Sequence, residues 1–523
     1  MFVTIDERIS QAEALLMRTE ERRQRLAGPL EAKEARSELG QFFTPLPVAR
    51  FIAGLLDLPS HGTIRLLDPG AGIGSLTAAV VARVMCERPT VSVELVAFEV
   101  DPDLEPHLRK TLEDCQKTAL SAGIEVRAET RQADFIEWAS EEISGSLLSR
   151  PAALFSACVM NPPYRKVNNG GADHRALQRV GLNVSNLYAA FLALASRLLD
   201  EGGQLAAITP RSFANGVYFK PFREFFLREM AFDRLHVYEE RGHVFAEAQV
   251  LQENVVFRAT RQQPGPTVFL SSSARSAEES TEREVPYGAV VRDGDPNLFV
   301  RIPVDDDATA VAEYVAELPA QLTDLGIKVS TGRVVDFRAR QHLRMDAEAG
   351  TVPLIYPTHL RNGRVVWPQP KSKKPNALLA NQETASLLLP SGTYVLVKRF
   401  TAKEERRRVV ACLVTSSDLP GARVAFENHL NVYHCGGEGL PDDLARGLAA
   451  FLNSSVVDRY VRQFSGHTQI NAADLQHLRY PSVGDLEEAG RSLSGVETPN
   501  EYDFLEDLVD RPAPMSSLTG VLS

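Results

Sequence analysis

Residues 41–257 of this 523-residue chain predict an open α/β fold, a doubly wound sheet, followed by a second domain of mixed character. Three observations carry that prediction. Short β-rich runs alternate with helical stretches joined by short connections. The first run ends in a glycine-rich turn that opens a helix, the usual ligand-binding corner of such a sheet. The run ALFSACVM (153–160) is apolar throughout, as a strand covered on both faces requires.

In chain order, residues 1–38 read as an amphipathic helix broken near Gly28-Pro29. The strands expected are TIRLLD (63–68), VELVAFE (93–99), EVRAETRQA (125–133), ALFSACVM, GQLAAIT (203–209), RLHVYE (234–239) and ENVVFRA (253–259). Helices fill SLTAAVVARVMCE (75–87), DLEPHLRKTLEDCQKTALSAG (103–123), LYAAFLALASRLLDE (187–201) and FKPFREFFLREM (219–230). After Ala259 the composition turns to Ser, Pro, Gly and charge, which reads as a linker. The division expected is 1–38 a helical segment, 39–260 the α/β unit, 261–320 a linker or variable region, 321–484 a second unit of mixed character and 485–523 an acidic tail, within the roughly two to four domains such a length suggests.

Composition excludes less than it suggests. The 44% hydrophobic content is enough for real cores, and no run approaches the ~18 apolar residues of a membrane span. The N-terminus is charged rather than shaped as a secretory signal. Five scattered cysteines without a CxxC pair point to reduced thiols, a cytoplasmic location and no metal site. A net charge of −11 neither supports nor excludes nucleic acid, because the basic residues cluster at Lys371–Lys374 and Lys398–Arg408 while the acids crowd the tail.

Three loops at one sheet rim carry chemistry. In DPGAGIGSL (68–76), Asp68 ends a strand and Gly70, Gly72 and Gly74 allow close approach of backbone to a ligand at a helix N-terminus. The spacing fits neither the dinucleotide fingerprint nor a phosphate loop, and a plain strand-to-helix turn is the bland alternative. Glu99 in FEVDPD can hold two ribose hydroxyls, and Asp134 in QADF can accept from an adenine amino group; each is otherwise a solvated acid beside a turn. NPPY (161–164) leaves the buried strand ALFSACVM. Pro162 and Pro163 fix φ and remove donors, Asn161 adds a carbonyl, and Tyr164 a flat face. That assembly suits a planar ring bearing an exocyclic NH₂.

GQFFTP (40–45), DPGAGIGSL, FEVDPD, QADF and NPPY stand in the order found in γ-class amino-methyltransferases, and the chain resembles that TaqI-like family of DNA N6-adenine methyltransferases. The resemblance covers about residues 30–260 and, more loosely, 320–480. It implies a Rossmann-like sheet that binds S-adenosylmethionine (SAM). Phe43, Thr44 and Pro45 would close over the methionine end of SAM, Asp68 to Gly74 cradle it, Glu99 hold the ribose and Asp134 the adenine. Asn161, Pro162, Pro163 and Tyr164 would be catalytic, Tyr164 stacking on a flipped adenine. Phe245 would cover its other face, the alternative being a buried core ring. No metal is implied. Lys398, Arg399, Arg406, Arg407 and Arg408 would contact phosphates of double-stranded DNA, and a separately encoded restriction endonuclease would act on the same site. With about forty residues ahead of the FTP motif and no nuclease-like segment among them, a stand-alone modification enzyme is expected. Methylation of RNA adenine or of a protein glutamine is the rival expectation.

Overall fold

The computed structural model describes residues 3–27, 43–145, 155–238, 253–273, 281–303, 305–370, 372–401, 405–463 and 469–493. The chain divides into two compact units, Met1–Val304 and Asp305–Ser523.

The first unit opens with α1 (Ile5–Ala27) and α2 (Leu46–Leu55). A nine-stranded sheet follows: β1 (Gly62–Pro69), β2 (Val91–Phe98), β3 (Val126–Arg131), β4 (Phe155–Met160), β5 (Leu199–Pro210), β6 (Ala231–Tyr238), β7 (Asn254–Thr260), β8 (Thr267–Ser273) and β9 (Thr281–Pro286). Its order is β3-β2-β1-β4-β5-β7-β6-β8-β9. The first five strands run parallel and β7 inserts antiparallel between β5 and β6. The order reverses between β1 and β4, so a crevice opens at their carboxyl ends, where such sheets bind ligands. Its longer helices are α3 (Ser75–Glu87), α4 (Glu105–Ser121), α5 (Phe135–Gly145), α6 (Ala172–Arg179), α7 (Leu187–Leu198) and α8 (Lys220–Glu229).

Alternation along the strands sorts two cores. Leu66, Ala157, Val159, Ala206 and Ile208 face one layer with Ala49, Ile52 and Val81. Leu67, Cys158, Met160, Leu205 and Ala207 face the other with Leu192, Phe213 and Phe226. Every residue of α7 except Arg197 is buried, which its unbroken apolar sequence requires.

Two boundaries differ from expectation. The helix at 187 stops at Leu198, and Leu199 already begins β5. Within the expected linker or variable region 261–320, Thr267–Ser273 and Thr281–Pro286 are strands: β8 pairs parallel with β6 and β9 pairs with β8, extending the sheet. Val268, Leu270 and Val285 are buried in this extension, while Thr267, Ser271 and Ser272 are half-buried.

The second unit carries a six-stranded sheet and a five-stranded sheet built from short strands. Near its end, the helix Asp442–Leu452 crosses the helix Val483–Ser492 closely. A Cβ on Gly447 would sit 1.8 Å from Leu486 O, and one on Gly490 1.8 Å from Asp443 O. Asp485, Glu487 and Glu488 therefore belong to a packed helix rather than to a tail. No helix among the described residues is long and apolar enough to cross a membrane.

Candidate active site

The carboxyl ends of β1, β2 and β4 open onto one cleft of about 610 Å³, its mouth included. Phe43, Gly70, Gly72, Glu99, Asp134 and Asn161 all line it, and Phe98, Phe135, Pro163 and Phe191 make its apolar walls. Gly70, Gly72, Glu99, Asp134 and Asn161 reach one place because each follows a strand of the same parallel set, while Phe43 comes in ahead of the sheet and Phe191 from α7.

Positive φ at Gly74 (+85°) starts α3, and a Cβ there would meet Leu108 Cδ1 at 3.0 Å and Thr111 Cγ2 at 3.2 Å. Glycine is needed at that position on both counts. Asp68 is 1% exposed. Its Oδ2 accepts from Thr77 Oγ1 at 2.6 Å, while its Oδ1 is buried without a hydrogen bond. Burial pushes this carboxyl up to about 7, against the pull of the Thr77 hydroxyl.

Glu99 staples two of the loops together. Its Oε2 accepts from Gly72 N–H at 2.9 Å and its Oε1 from Asp101 N–H at 2.9 Å. Burial raises its carboxyl, and these backbone donors oppose the rise. Each oxygen keeps a further lone pair. Asp134 caps α5, Oδ1 accepting from Ile136 N–H at 2.7 Å and Glu137 N–H at 3.2 Å, which leaves Oδ2 as an acceptor at the cleft wall.

The NPPY turn forms the cleft's far side. Asn161 Nδ2 donates to the buried Thr44 Oγ1 at 3.1 Å, which sets the amide so that Oδ1 faces Tyr164. The Tyr164 hydroxyl donates to Asn161 Oδ1 at 3.0 Å and lies 3.3 Å from Ile208 O. Burial pushes that hydroxyl well above its ordinary value, so it remains a donor. The Tyr164 ring meets Tyr188 edge-on at 6.2 Å, and Tyr188 is held by Ser212 at 2.8 Å.

The structure thus gathers Phe43, Gly70, Gly72, Glu99, Asp134, Asn161 and Pro163 along one cleft; Thr44 and Tyr164 are bonded to Asn161, Pro45 caps α2, and Asp68 and Gly74 are buried in the strand-to-helix turn and do not line the cleft. Phe245 lies outside the described residues. Thr44 as the anchor of Asn161, Tyr188 as a buttress and Phe191 as a wall had no sequence signal beyond their apolar or polar type. In the second unit, Arg406 is exposed and Lys398, Arg399 and Arg407 are half-buried. Arg408 does not fit a phosphate contact. It is 1% exposed, its guanidinium donates to Thr401 Oγ1 at 3.1 Å, and its backbone N–H donates to Asp458.

These features suit an adenosyl sulfonium ligand. The cleft offers paired acceptors for a diol, an acceptor for an amino group and flat apolar walls for a purine. Residues 90–245 match the family model described as Eco57I restriction-modification methylase. Over 461 residues the chain is 40% identical to the type II methyltransferase M.PstI of Providencia stuartii, covering 88% of this chain and 90% of that relative. It is 37% identical over 481 residues to the type II methyltransferase M.BsuBI of Bacillus subtilis, covering 91% and 94%. A shorter match, 27% over 234 residues, links it to the type II methyltransferase M.TthHB8I of Thermus thermophilus, covering 42% and 45%. The methyl donor is S-adenosylmethionine. The chain belongs to the type II methyltransferases of restriction-modification systems, with its motifs in the γ-class order.

Proposed function

We propose that this protein methylates N6 of adenine within a specific sequence of double-stranded DNA, acting on a nucleotide swung out of the helix. Methylation would protect host DNA from a separately encoded endonuclease that cuts the same site. The observation that carries this reading is the position of Asn161. Its amide lines the cofactor cleft, and its Oδ1 sits beside the Tyr164 hydroxyl on a proline-locked turn.

The donor supplies a methyl group already activated on a sulfonium, so the protein's work is alignment and charge stabilisation. Asn161 Oδ1 accepts one hydrogen of the target amine, and a backbone carbonyl of the Pro162-Pro163 turn accepts the other. Both bonds draw the nitrogen lone pair out of conjugation with the ring and strengthen as positive charge develops on nitrogen. Thr44 holds the Asn161 amide against rotation. Tyr164 offers a stacking face, worth about 1–3 kcal/mol, toward the few kcal/mol that extrusion of a base requires. Glu99 and Asp134 orient the donor, and the walls Phe43, Phe98 and Phe191 keep water from it.

Lys398, Arg399, Arg406 and Arg407 supply the phosphate contacts in this reading, and Phe245 the second stacking ring. Incubation with methyl-labelled SAM and, separately, duplex DNA, RNA or total protein tests it. Label in N6-methyladenine of duplex DNA is expected. Label in RNA, or in protein glutamine, whose amide the same rim would suit, would overturn it.

A further inference from the structure

In the second unit, the strands Arg423–Phe426 and Leu430–His434 are joined by the turn Glu427–Asn428–His429. Glu427 is 0% exposed, an expensive place for a carboxylate without a purpose. Its Oε2 accepts the backbone N–H of His429 at 2.9 Å, and its Oε1 holds His429 Nδ1 in a short hydrogen bond. The turn is rigid. Glu427 N–H donates to Ile355 O at 3.0 Å and Asn428 N–H to Val334 O at 2.8 Å. Gly332 passes so near that a Cβ there would lie 2.1 Å from Glu427 O.

The outer half of the imidazole contrasts with this. The His429 side chain is 47% exposed, and Nε2 makes no hydrogen bond among the described residues. Phe400, itself 42% exposed, lies against the ring with centroids 5.0 Å apart. Cations flank the pair. Arg399 donates its backbone N–H to His429 O at 2.9 Å and its guanidinium to Asn428 O at 3.3 Å. Beyond Val334, Asp336 holds Lys374 at 3.0 Å, and Phe337 stands 76% exposed with Arg338 over its ring at 5.5 Å. A buried acid thus fixes one nitrogen of an imidazole and presents the other to solvent beside the exposed Phe400 ring, with Arg399 bonded to the same turn.

We propose that His429 reads the edge of one base pair in the target duplex, outside the methylated nucleotide, with Glu427 as its positioning residue and Phe400 as the apolar wall. With Nδ1 engaged, Nε2 accepts from an amino group of cytosine or adenine, or, when the ring is protonated, donates to guanine O6 or N7. A rotating side chain would discriminate poorly; one held by a buried carboxylate has its direction set before DNA arrives. The proposal rests on duplex DNA being the substrate.

The test uses the full chain, SAM and a duplex library randomised across the site found for the wild type, with methylated products sequenced. His429→Ala should lower kcat/KM on the preferred sequence by roughly 5- to 150-fold and abolish preference at a single base-pair position. Glu427→Gln should relax the same position to a smaller degree. Cofactor affinity should stay unchanged in His429→Ala, while the melting temperature should fall because the buried Glu427 loses its Nδ1 partner, so the profiles are compared at a temperature where both proteins are folded. A uniform loss over all sequences would overturn the proposal, as a scaffold or phosphate role would give it, and so would an unaltered profile. A wild type that methylates no duplex would instead refute the substrate reading on which the proposal stands.

Discussion

Tyr164→Phe and Tyr164→Ala divide the work of one ring into two parts. The hydroxyl donates to Asn161 Oδ1 at 3.0 Å, so phenylalanine loses one hydrogen bond, about 0.5–1.5 kcal/mol. At about 1.4 kcal/mol per factor of ten, kcat/KM falls about 2- to 13-fold. Alanine also removes the stacking face, about 1–3 kcal/mol more, for a total loss of about 12- to 2000-fold. Tyr164 is not among the cleft-lining residues, whereas Asn161 and Pro163 are. SAM affinity, measured by titration calorimetry, should therefore change little in either variant. Methyl transfer to duplex DNA gives the rates. Melting temperature checks that the unit stays folded in Tyr164→Ala, where Tyr188 no longer has a ring to pack against at this position. Collapse of SAM binding in Tyr164→Ala, or equal damage from both substitutions, would refute the placement of this ring on the target base.

Asp68 gives a pH dependence of the protein without ligand. Its carboxyl rises from 3.8 to about 7 on folding, so the folded state binds a proton the unfolded state lacks between those values. The stability linked to that proton is complete below about pH 4 and lost as pH rises through 7, about 4 kcal/mol in all. Urea unfolding at pH 5 and pH 8 should show about 3 kcal/mol of this loss in the wild type and its absence in Asp68→Asn; an equal change in both proteins would contradict it. Glu99→Gln should weaken SAM binding about 10- to 150-fold by removing a charged acceptor, read by calorimetry; unchanged affinity would remove Glu99 from the site. Arg406→Ala should reduce the salt dependence of DNA binding by about one phosphate equivalent at unchanged melting temperature. Arg408→Ala should lower the melting temperature instead, because its guanidinium is buried against Thr401.

What the sequence revealed and what it hid follow from the range of the physics involved. The glycine turn, Glu99, Asp134 and NPPY were legible because each is a local solution at the end of an apolar run. Their common rim then follows from the parallel topology. The bond from Asn161 to Thr44 spans 117 positions and leaves no local trace. β8 and β9 were hidden by their polar faces: a strand with one covered side carries Ser, Glu and Arg as readily as a linker does. Arg408 looked like its neighbours Arg406 and Arg407, since burial is decided by the turn through Thr401 rather than by residue type. The strands of the second unit, several only two to five residues long, are too short to establish a period.

The structure of the ternary complex with a SAM analogue and duplex DNA bears most directly on the account. The adenine amino nitrogen should lie within about 3.2 Å of Asn161 Oδ1, the purine parallel to the Tyr164 ring and outside the base stack. An adenine still stacked in the duplex, with Asn161 Oδ1 bonded only to Tyr164, would contradict it.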